Sequence, residues 1–427
     1  MTAWRNTLMG LLTWPRLVRL LPFMLTAQQI GAQTDDPEAH LRSLTLARDA
    51  QIVVEDFSGA LTSAEDLVSA LEDTGDKRLA GHIVQLAKVQ AELGELAKAE
   101  ENYLRGLELL EEQNGELALN LVAPYQSLAR SYMYGDRYEE AITVLEHAQD
   151  LNQRNLGLFN LEQTELLDDM TIAYLSLGDT LEARRIQRER LRIAVRRFGA
   201  ESPETIPFLN HLGQYYEYSR MRGQAREQYQ QILEVQEANP DSNDISLLFV
   251  LRKLTLIDLA RNEPSSAKVR LAEILDRDVG IPPMERVRSL TVLGDWEMGH
   301  KRIEAALEYY RDGWRVMESI PSLDPENFYG EPTPISFVAP LGPVDMRRRQ
   351  DSYAWGIITL SFTVSAEGRA SDVQVMSSEP AGLMDARYIG RVRETYFRPR
   401  LLSGEPTLTS NVQLSHQFRY FFSQNEE

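Results

Sequence analysis

Small residues return along the first three quarters of the chain with one fixed period. Each member of the main series follows the one before by 42 residues, at Ala99, Ala141, Ala183, Ala225 and Ala267, and Ala305 continues it after 38. A second small or compact residue stands twelve positions before each alanine, at Ala87, Ala129, Thr171, Gly213 and Thr255. A turn-forming position lies between the two, at Gly94, Asp136, Gly178, Arg220 and Asn262. A fixed period of this size indicates stacked pairs of helices rather than one globular core.

Large side chains complete the pattern. A tyrosine follows the alanine by four residues at Tyr103, Tyr229 and Tyr309, so it lies on the same helical face. Two antiparallel helices that cross closely need a small residue where their backbones approach and a large one beside it. A generic alanine-rich bundle would not keep an equal spacing four times in succession. We therefore expect helical repeats over 77–320, with an atypical helical cap over 33–76.

The pattern changes after residue 320. Six prolines between Pro321 and Pro343 forbid a continuing helix and predict an extended linker over 321–345. Alternating residues then predict strands at 357–364 and 372–376, helical spacing returns over 384–396, and a last strand covers 412–422. A short strand around 397–401 is also indicated. The order β-β-α-β predicts a small α+β domain over 346–424.

The repeat region resembles the tetratricopeptide repeats. The segments YGDRYEEAITVLEHAQDL and LGQYYEYSRMRGQAREQYQQILEV carry this resemblance. The usual unit has about 34 residues, so a 42-residue unit allows roughly one more turn in each helix. The fold class expected is therefore mainly α: a tetratricopeptide-repeat α-solenoid with long repeats, followed by the small α+β domain.

The C-terminal segment resembles the C-terminal domain of TonB-family energy transducers. The residues that match the family's pattern are Gly368, Arg369, Ser377, Ser378, Phe397, Pro399 and Gly404. The resemblance implies a module that binds an extended peptide of an outer-membrane transporter by strand addition. The family's membrane helix with its Ser/His motif and its Pro/Lys/Glu spacer have no counterpart here. The binding module is therefore expected to carry over, and energy transduction is not.

The N-terminal residues differ in composition from the rest of the chain. They contain Arg5, Arg16 and Arg19 and no acidic residue before Asp35. The apolar run of residues 20–27 is far shorter than the roughly 20 residues that span a bilayer. This pattern favours a cleaved secretion signal over 1–32, with cleavage after Ala32, and hence a Gram-negative type periplasm. A misplaced start codon or an uncleaved anchor remain alternatives. No transmembrane span is expected.

Charge and residue usage exclude several classes of function. The formal net charge is −19, and the 94 residues from Pro334 onward are neutral, so the excess acid precedes them. Such a charge argues against nucleic acid as a partner. The chain has no cysteine, and its six histidines are scattered without metal-binding spacing. No phosphate loop or nucleophile elbow is present. We expect no catalysis, no cofactor and no metal site, and His211 is interpreted as a packed histidine.

The repeat phase predicts which residues line a groove for a partner. The first helix of each pair should present the positions that face it, namely Gln126, Arg130, Tyr134, Asp168, Asn210, Gln214, Tyr218 and Arg252. Ordinary exposure is the alternative for each residue taken singly. Together these features predict a periplasmic protein–protein interaction scaffold whose partners are proteins or peptides of the cell envelope, an outer-membrane transporter among them. An energy-coupling component of outer-membrane uptake is the alternative, and a cell-wall hydrolase is a more distant one.

Overall fold

The computed structural model describes residues 36–72, 74–239, 241, 243–277, 280–335, 337–343 and 353–421. The segment 1–32, for which a secretion signal is predicted, lies outside these residues. The chain divides into two compact units, Met1–Gly135 and Asp136–Glu427. Each unit is described by itself.

The described part of the first unit contains five α-helices. They are α1 (Pro37–Val53), α2 (Phe57–Leu71), α3 (Arg78–Glu92), α4 (Leu96–Asn114) and α5 (Val122–Tyr134), with a 3-10 turn at Leu119–Leu121. The side chains of Asp36 and Asp56 cap α1 and α2 by accepting hydrogen bonds from the backbone N–H groups of Glu38 and Gly59. Helices α2 and α3 bury an apolar cluster that includes Val68 and Ile83. The predicted cap over 33–76 thus holds the pair α1 and α2.

The second unit continues the pairing. Its helices are α6 (Tyr138–Leu156), α7 (Thr164–Ser176), α8 (Thr180–Phe198), α9 (Ile206–Tyr218), α10 (Arg222–Ala238), α11 (Asp244–Arg261), α12 (Ser266–Asp276), α13 (Pro283–Gly299) and α14 (Ile303–Glu318). Consecutive helices from α6 to α14 pack against each other. The predicted helical-repeat fold is confirmed.

The turns inside the helix pairs repeat in backbone conformation as well as in sequence. The turn residues predicted from the period all have a positive φ, at Gly94, Asp136, Gly178, Arg220 and Asn262. Only glycine adopts this left-handed region freely, and Asn and Asp tolerate it better than other side chains. The turn chemistry therefore explains Gly94, Asp136, Gly178 and Asn262, whereas Arg220 adopts the same conformation at φ 58° without that preference.

Small residues meet large ones where the paired helices cross. A Cβ atom at Gly213 would lie 3.0 Å from Cζ of Tyr229, which is fully buried. In the pair α7 and α8 the same two positions are polar, and the Nε2 group of Gln187 donates a hydrogen bond to Oγ1 of Thr171 at 3.0 Å. The five alanines from Ala99 to Ala267 are at most 5% exposed, as close crossings require.

The last member of the alanine series differs from the prediction by one residue. Ala305 is half-buried, whereas Ala306 is fully buried. The tyrosine in phase with it is Tyr310 rather than Tyr309, and Tyr310 packs where a Cβ at Gly294 would otherwise stand. The spacing from Ala267 is therefore 39 residues. The unit is shorter because α12 has 11 residues, whereas α8 has 19.

The proline-rich segment is not extended throughout. Its described part contains a short helix α15 (Pro325–Tyr329) and a strand β1 (Thr333–Ile335). The side chain of Tyr329 is fully buried, and its hydroxyl lies 2.7 Å from Oγ1 of Thr291 in α13. Proline is compatible with both elements, since Pro325 stands in the first turn of the helix and Pro334 in an edge strand. The segment predicted as a linker thus packs on the last helix pair.

The C-terminal region is an antiparallel sheet covered by one helix. Its elements are β2 (Tyr353–Val364), β3 (Ala370–Glu379), α16 (Asp385–Glu394), β4 (Tyr396–Arg398), β5 (Arg400–Leu402), β6 (Glu405–Thr407) and β7 (Thr409–Phe421). Strand β2 lies between β3 and β7, while β1 pairs with β4 and β5 with β6. Alternate residues of β2, such as Ile358 and Leu360, pack with Tyr388 and Val392 of α16. The predicted β-β-α-β order is confirmed, and the β5–β6 hairpin is an addition.

This sheet region is joined to the last helix pair by a buried ion pair. The guanidinium of Arg398 in β4 donates two hydrogen bonds to the carboxylate of Asp295 in α13, at 3.1 and 2.8 Å. The hydroxyl of Tyr310 donates to the same carboxylate at 2.9 Å. Leu401 belongs to the apolar cluster of Trp296 and Tyr310. The β5 residue Leu401 therefore packs into the core of the last helix pair, whereas the three-stranded sheet and α16 bury a separate apolar cluster.

Candidate protein-binding surfaces

In the first unit, the predicted groove residues lie on α5. Gln126, Arg130 and Tyr134 are four residues apart, so they occupy one face of the helix. Arg130 is exposed, whereas Gln126 and Tyr134 are half-buried. The face combines a cation, an amide and a phenol, which are groups that can anchor a protein partner.

In the second unit, α9 carries the corresponding stripe. Asn210, Gln214 and Tyr218 are again spaced by four residues. Asn210 and Gln214 are half-buried, and Tyr218 is 42% exposed. The Oδ1 atom of Asn210 is buried and accepts no hydrogen bond from any described residue. Burial raises the pKa of Tyr218, so its hydroxyl stays a donor at neutral pH.

Asp168 takes part in a contact within the repeats. Its Oδ2 atom lies 3.0 Å from Nη2 of Arg190 in α8, and the Arg190 guanidinium lies 5.2 Å above the ring of Phe208. Burial raises the pKa of Asp168 to about 6, and Arg190 opposes that shift. The carboxylate therefore holds α8 beside α7, with part of its surface still accessible.

Arg252 does not face a groove as the repeat phase predicted. The residue is 8% exposed, and its Nη1 atom lies 2.8 Å from Oε2 of Glu285 and 3.2 Å from Oγ of Ser289. Burial lowers the pKa of Arg252, and Glu285 opposes this. The guanidinium therefore connects α11 to α13. The carboxylate of Glu285 and the hydroxyl of Ser289 on α13 cover the guanidinium, so it is not open to a partner.

His211 lies beside the α9 stripe and is half-buried. Burial lowers its pKa to about 4, and the neighbouring Arg190 acts in the same direction. The imidazole is therefore neutral at physiological pH. This agrees with the interpretation of a packed histidine.

The residues that match the TonB pattern mostly shape the sheet region. Gly368 has φ +74° and abuts the carbonyl of Phe397, which leaves no room for a side chain. Arg369 stacks on the ring of Tyr396 at 4.4 Å. Oγ of Ser378 donates to Oδ1 of Asp385 at 2.6 Å.

The remaining matched residues divide between core and surface. Phe397 and Pro399 are buried, and Gly404, with φ +81°, lies against Trp314. Ser377 is exposed on β3. Most of the pattern therefore identifies turns and packing positions, and Arg369 and Ser377 are the two matched residues that are exposed.

The two edges of the three-stranded sheet differ in regularity. Strand β3 is interrupted against β2 by a bulge at Met376 and by a second irregularity further along. Strand β7 pairs one-to-one with β2 over ten residues, from Val412 opposite Phe362 to Phe421 opposite Tyr353. Within the described residues, β7 pairs with no strand other than β2. The backbone N–H of Phe421 donates a hydrogen bond to the carbonyl of Pro343 at 3.1 Å, and Gly342 abuts the carbonyl of Arg419, so residues 342–343 cover the end of this edge. The stretch 412–418 of β7 therefore offers the longer regular row of backbone N–H and C=O groups.

The predicted site residues do not include a row of exposed arginines on α8. Arg185, Arg188, Arg192 and Arg196 are all exposed. The signal was present as seven arginines between residues 184 and 197 of an acidic chain. The net negative charge of the whole repeat region conceals this local excess of arginine on one helix.

Comparison with known families agrees with the helical part of the fold. Residues 122–155 match the family model of the tetratricopeptide repeat. This segment of the chain therefore carries a tetratricopeptide repeat. No curated protein matches the chain. Nothing in these comparisons supports a TonB-family domain, so that resemblance stays a prediction.

Several solved structures are similar to the chain in fold. The TPR-like repeats of a kinesin light chain from Podosopora anserina share 18% identity, with a TM-score of 0.42, over 49% of this chain and 100% of that one. The C-terminal part of a TPR repeat-containing protein from Cytophaga hutchinsonii shares 12% identity, with a TM-score of 0.45, over 68% and 98%. A tetratricopeptide repeat protein from Parabacteroides merdae shares 11%, with a TM-score of 0.35, over 65% and 93%.

Two other kinds of feature are absent from the described residues. No group of three or more His, Cys, Asp or Glu side chains in this part of the chain could hold a metal ion. Across the same residues, no helix is both long enough and apolar enough to cross a membrane.

Proposed function

We propose that this protein is a non-catalytic periplasmic scaffold that binds two protein partners. Tetratricopeptide repeats bind protein partners, and this fold is typically non-catalytic. The first partner would contact the first helices of the repeats, and the second would be an extended peptide that adds a strand to the C-terminal sheet. The regular edge of β7 over residues 412–418, which the contacts of residues 342–343 leave uncovered, is the observation that carries the second assignment.

Strand addition at β7 follows from the geometry of an antiparallel edge. Alternate residues of such a strand direct their N–H and C=O groups away from the sheet, where another chain can pair with them. The outer face of β7 is polar, with Gln413, Ser415 and Gln417 exposed, whereas Val412 and Leu414 on the other face are half-buried. An incoming peptide with alternating polar and apolar residues would match both faces.

Backbone-methylated peptides test this proposal. Ten-residue extended peptides are first selected for binding to the full chain, and the best binder is then methylated at its odd or its even amides. Strand addition predicts that one set abolishes binding while the other leaves it nearly unchanged, because only alternate amides face β7. Equal effects of the two sets would exclude strand addition.

The repeat partner is assigned to the faces that carry Arg130 and Tyr218. Both residues are exposed, so Arg130→Ala with Tyr218→Ala should leave the melting temperature nearly unchanged and abolish capture of the repeat partner in pull-downs. Lys98→Ala with Arg154→Ala, which also removes exposed long side chains, is the matched control. Unaltered capture by the folded double variant would place the binding surface elsewhere.

The periplasmic location rests on the composition of residues 1–32. Cell fractionation with sequencing of the mature N-terminus tests it, and the expected product begins near Gln33. An intact N-terminus in the inner membrane would instead support the energy-coupling alternative.

A further inference from the structure

The strongest local concentration of positive charge lies on α8. This helix contains seven arginines and two glutamates, a formal charge of +5, although the whole chain carries −19. One arginine, Arg190, is buried and paired with Asp168. Glu182 and Glu189 pair with Arg185 and Arg192. Six arginines of this helix are therefore at least partly exposed, and two of them pair with a glutamate on the same helix.

Four of these arginines form a continuous row, which we name the arginine face: Arg185, Arg188, Arg192 and Arg196. Their spacings of three, four and four residues keep them on one side of the helix. The last three are separated by rises of about 6 Å at 1.5 Å per residue. Alternate side chains of an extended peptide repeat at about 6.7 Å, so successive acidic residues of such a peptide can meet successive arginines.

A cavity adjoins the arginine face. It has a volume of about 330 Å³. Its apolar wall is formed by Leu158, Phe159, Leu167 and Ile186. Its polar lining consists of the amides of Gln149 and Gln153 and the charged groups of Arg185, Glu189 and Arg192. Leu158 and Phe159 are 62% and 41% exposed, and the guanidinium of Arg196 lies 5.1 Å above the Phe159 ring. Cavities that hold ligand groups are of this size and mix apolar walls with a few polar groups.

We infer that the arginine face and this cavity form a docking site for an acidic segment of a protein partner, with one apolar side chain of that segment seated in the cavity. The arginines would pair with its carboxylates, and the amides of Gln149 and Gln153 would hydrogen-bond its backbone. The site lies on the second helix of a repeat pair. It is therefore distinct from the first-helix surface and from the sheet edge in the proposed function.

Charge favours a peptide over the other polyanions. Nucleic acid and an anionic bilayer present negative charge over an area much larger than one helix, so they also meet the acidic remainder of the chain. At physiological salt, charges interact over about 8 Å, and a short peptide on α8 therefore experiences mainly the local excess of arginine.

Two labelled peptides probe the site. Both have eleven residues with a central leucine, one with glutamate at alternate positions and the other with glutamine in their place. Fluorescence anisotropy with the full chain should show at least tenfold tighter binding of the glutamate peptide, and this binding should weaken as NaCl is raised from 50 to 300 mM. Replacing the leucine by alanine should weaken it further.

Charge reversal on the protein distinguishes the site from general electrostatics. Arg188→Glu with Arg196→Glu should reduce binding at least tenfold. Lys88→Glu with Arg393→Glu changes the net charge equally at exposed positions elsewhere and should reduce it less than twofold. Thermal melts establish that both variants are folded.

Three results would overturn the inference. Equal binding of the glutamate and glutamine peptides would exclude charge recognition, and equal losses in the two double variants would exclude a local site. Tighter binding of a 12-base-pair duplex or of vesicles with 30% phosphatidylglycerol, lost in Arg188→Glu with Arg196→Glu, would identify α8 as a nucleic-acid or membrane surface instead.

Discussion

The ion pair between Asp295 and Arg398 should dominate the attachment of the C-terminal sheet to the last helix pair. Their side chains are 11% and 13% exposed, and two hydrogen bonds join them. A second ion pair, Arg311 with Glu405, spans the same two parts but is far more accessible, with side chains 30% and 69% exposed. The two pairs differ mainly in burial, which makes one the natural control for the other.

The expected losses of unfolding free energy differ several-fold between variants of the buried and the exposed ion pair. Arg398→Met leaves the Asp295 carboxylate buried with only the Tyr310 hydroxyl as donor, and breaking a buried pair in this way costs about 3–5 kcal/mol. Arg311→Ala should cost at most about 1 kcal/mol, since exposed pairs are screened by solvent. Replacing both buried partners, as Asp295→Leu with Arg398→Met, should cost less than Arg398→Met alone because no charge is left buried.

Urea unfolding measured by tryptophan fluorescence can detect these differences. Trp296 and Trp314 are buried in the cluster beside the ion pair, so they report on this part of the chain. The reasoning would be refuted if Arg398→Met and Arg311→Ala shifted the transition equally. It would also be refuted if the double replacement cost more than the single one.

Three further predictions concern the repeats. Ala183→Leu should overpack a fully buried crossing and lower the unfolding free energy by about 1–3 kcal/mol in urea titrations. Leu181→Ala, at a 65% exposed site, should change the same free energy by less than about 0.5 kcal/mol. Equal effects of the two substitutions would mean that the predicted repeat phase is wrong. Gly178→Ala should lower the melting temperature through a cost of about 1–2 kcal/mol, because the residue has φ +81°; an unchanged value would contradict this. The pKa of Asp168 is raised from 3.8 to about 6. Between about pH 4 and 6 the folded chain therefore holds a proton on this carboxyl that the unfolded chain has lost. The free energy of unfolding consequently falls as pH rises through this range. Asp168→Asn should remove this dependence of at most about 1.4 kcal/mol per pH unit, and parallel urea-stability curves for the two proteins would contradict it.

The helical repeats could be predicted because their packing depends on residue size at fixed intervals. Steric reasons that a single sequence reveals fix the places of Ala183, Ala225 and the turn residue Gly178. The shift from Ala305 to Ala306 could not be predicted, since two adjacent alanines satisfy the pattern equally. Only the contact between Gly294 and Tyr310 distinguishes them.

The packing of the proline-rich segment and the burial of Arg252 depend on contacts between residues that are far apart in the sequence. Arg398 meets Asp295 across 103 residues, and no local pattern indicates that pairing. The repeat spacing predicts a groove-facing Arg252, whereas Glu285 on α13 covers its guanidinium. Helix periodicity predicts which face a residue occupies, but not which neighbour covers that face.

Hydrogen exchange on the full chain with its selected extended peptide tests the proposed scaffold most directly. Strand addition predicts that peptide binding slows exchange of backbone amides in residues 412–418, the part of the regular β7 edge that residues 342–343 leave uncovered, and leaves β3 unchanged. Protection confined to β3 or to the repeat helices, or no protection of β7 at saturating peptide, would contradict the account.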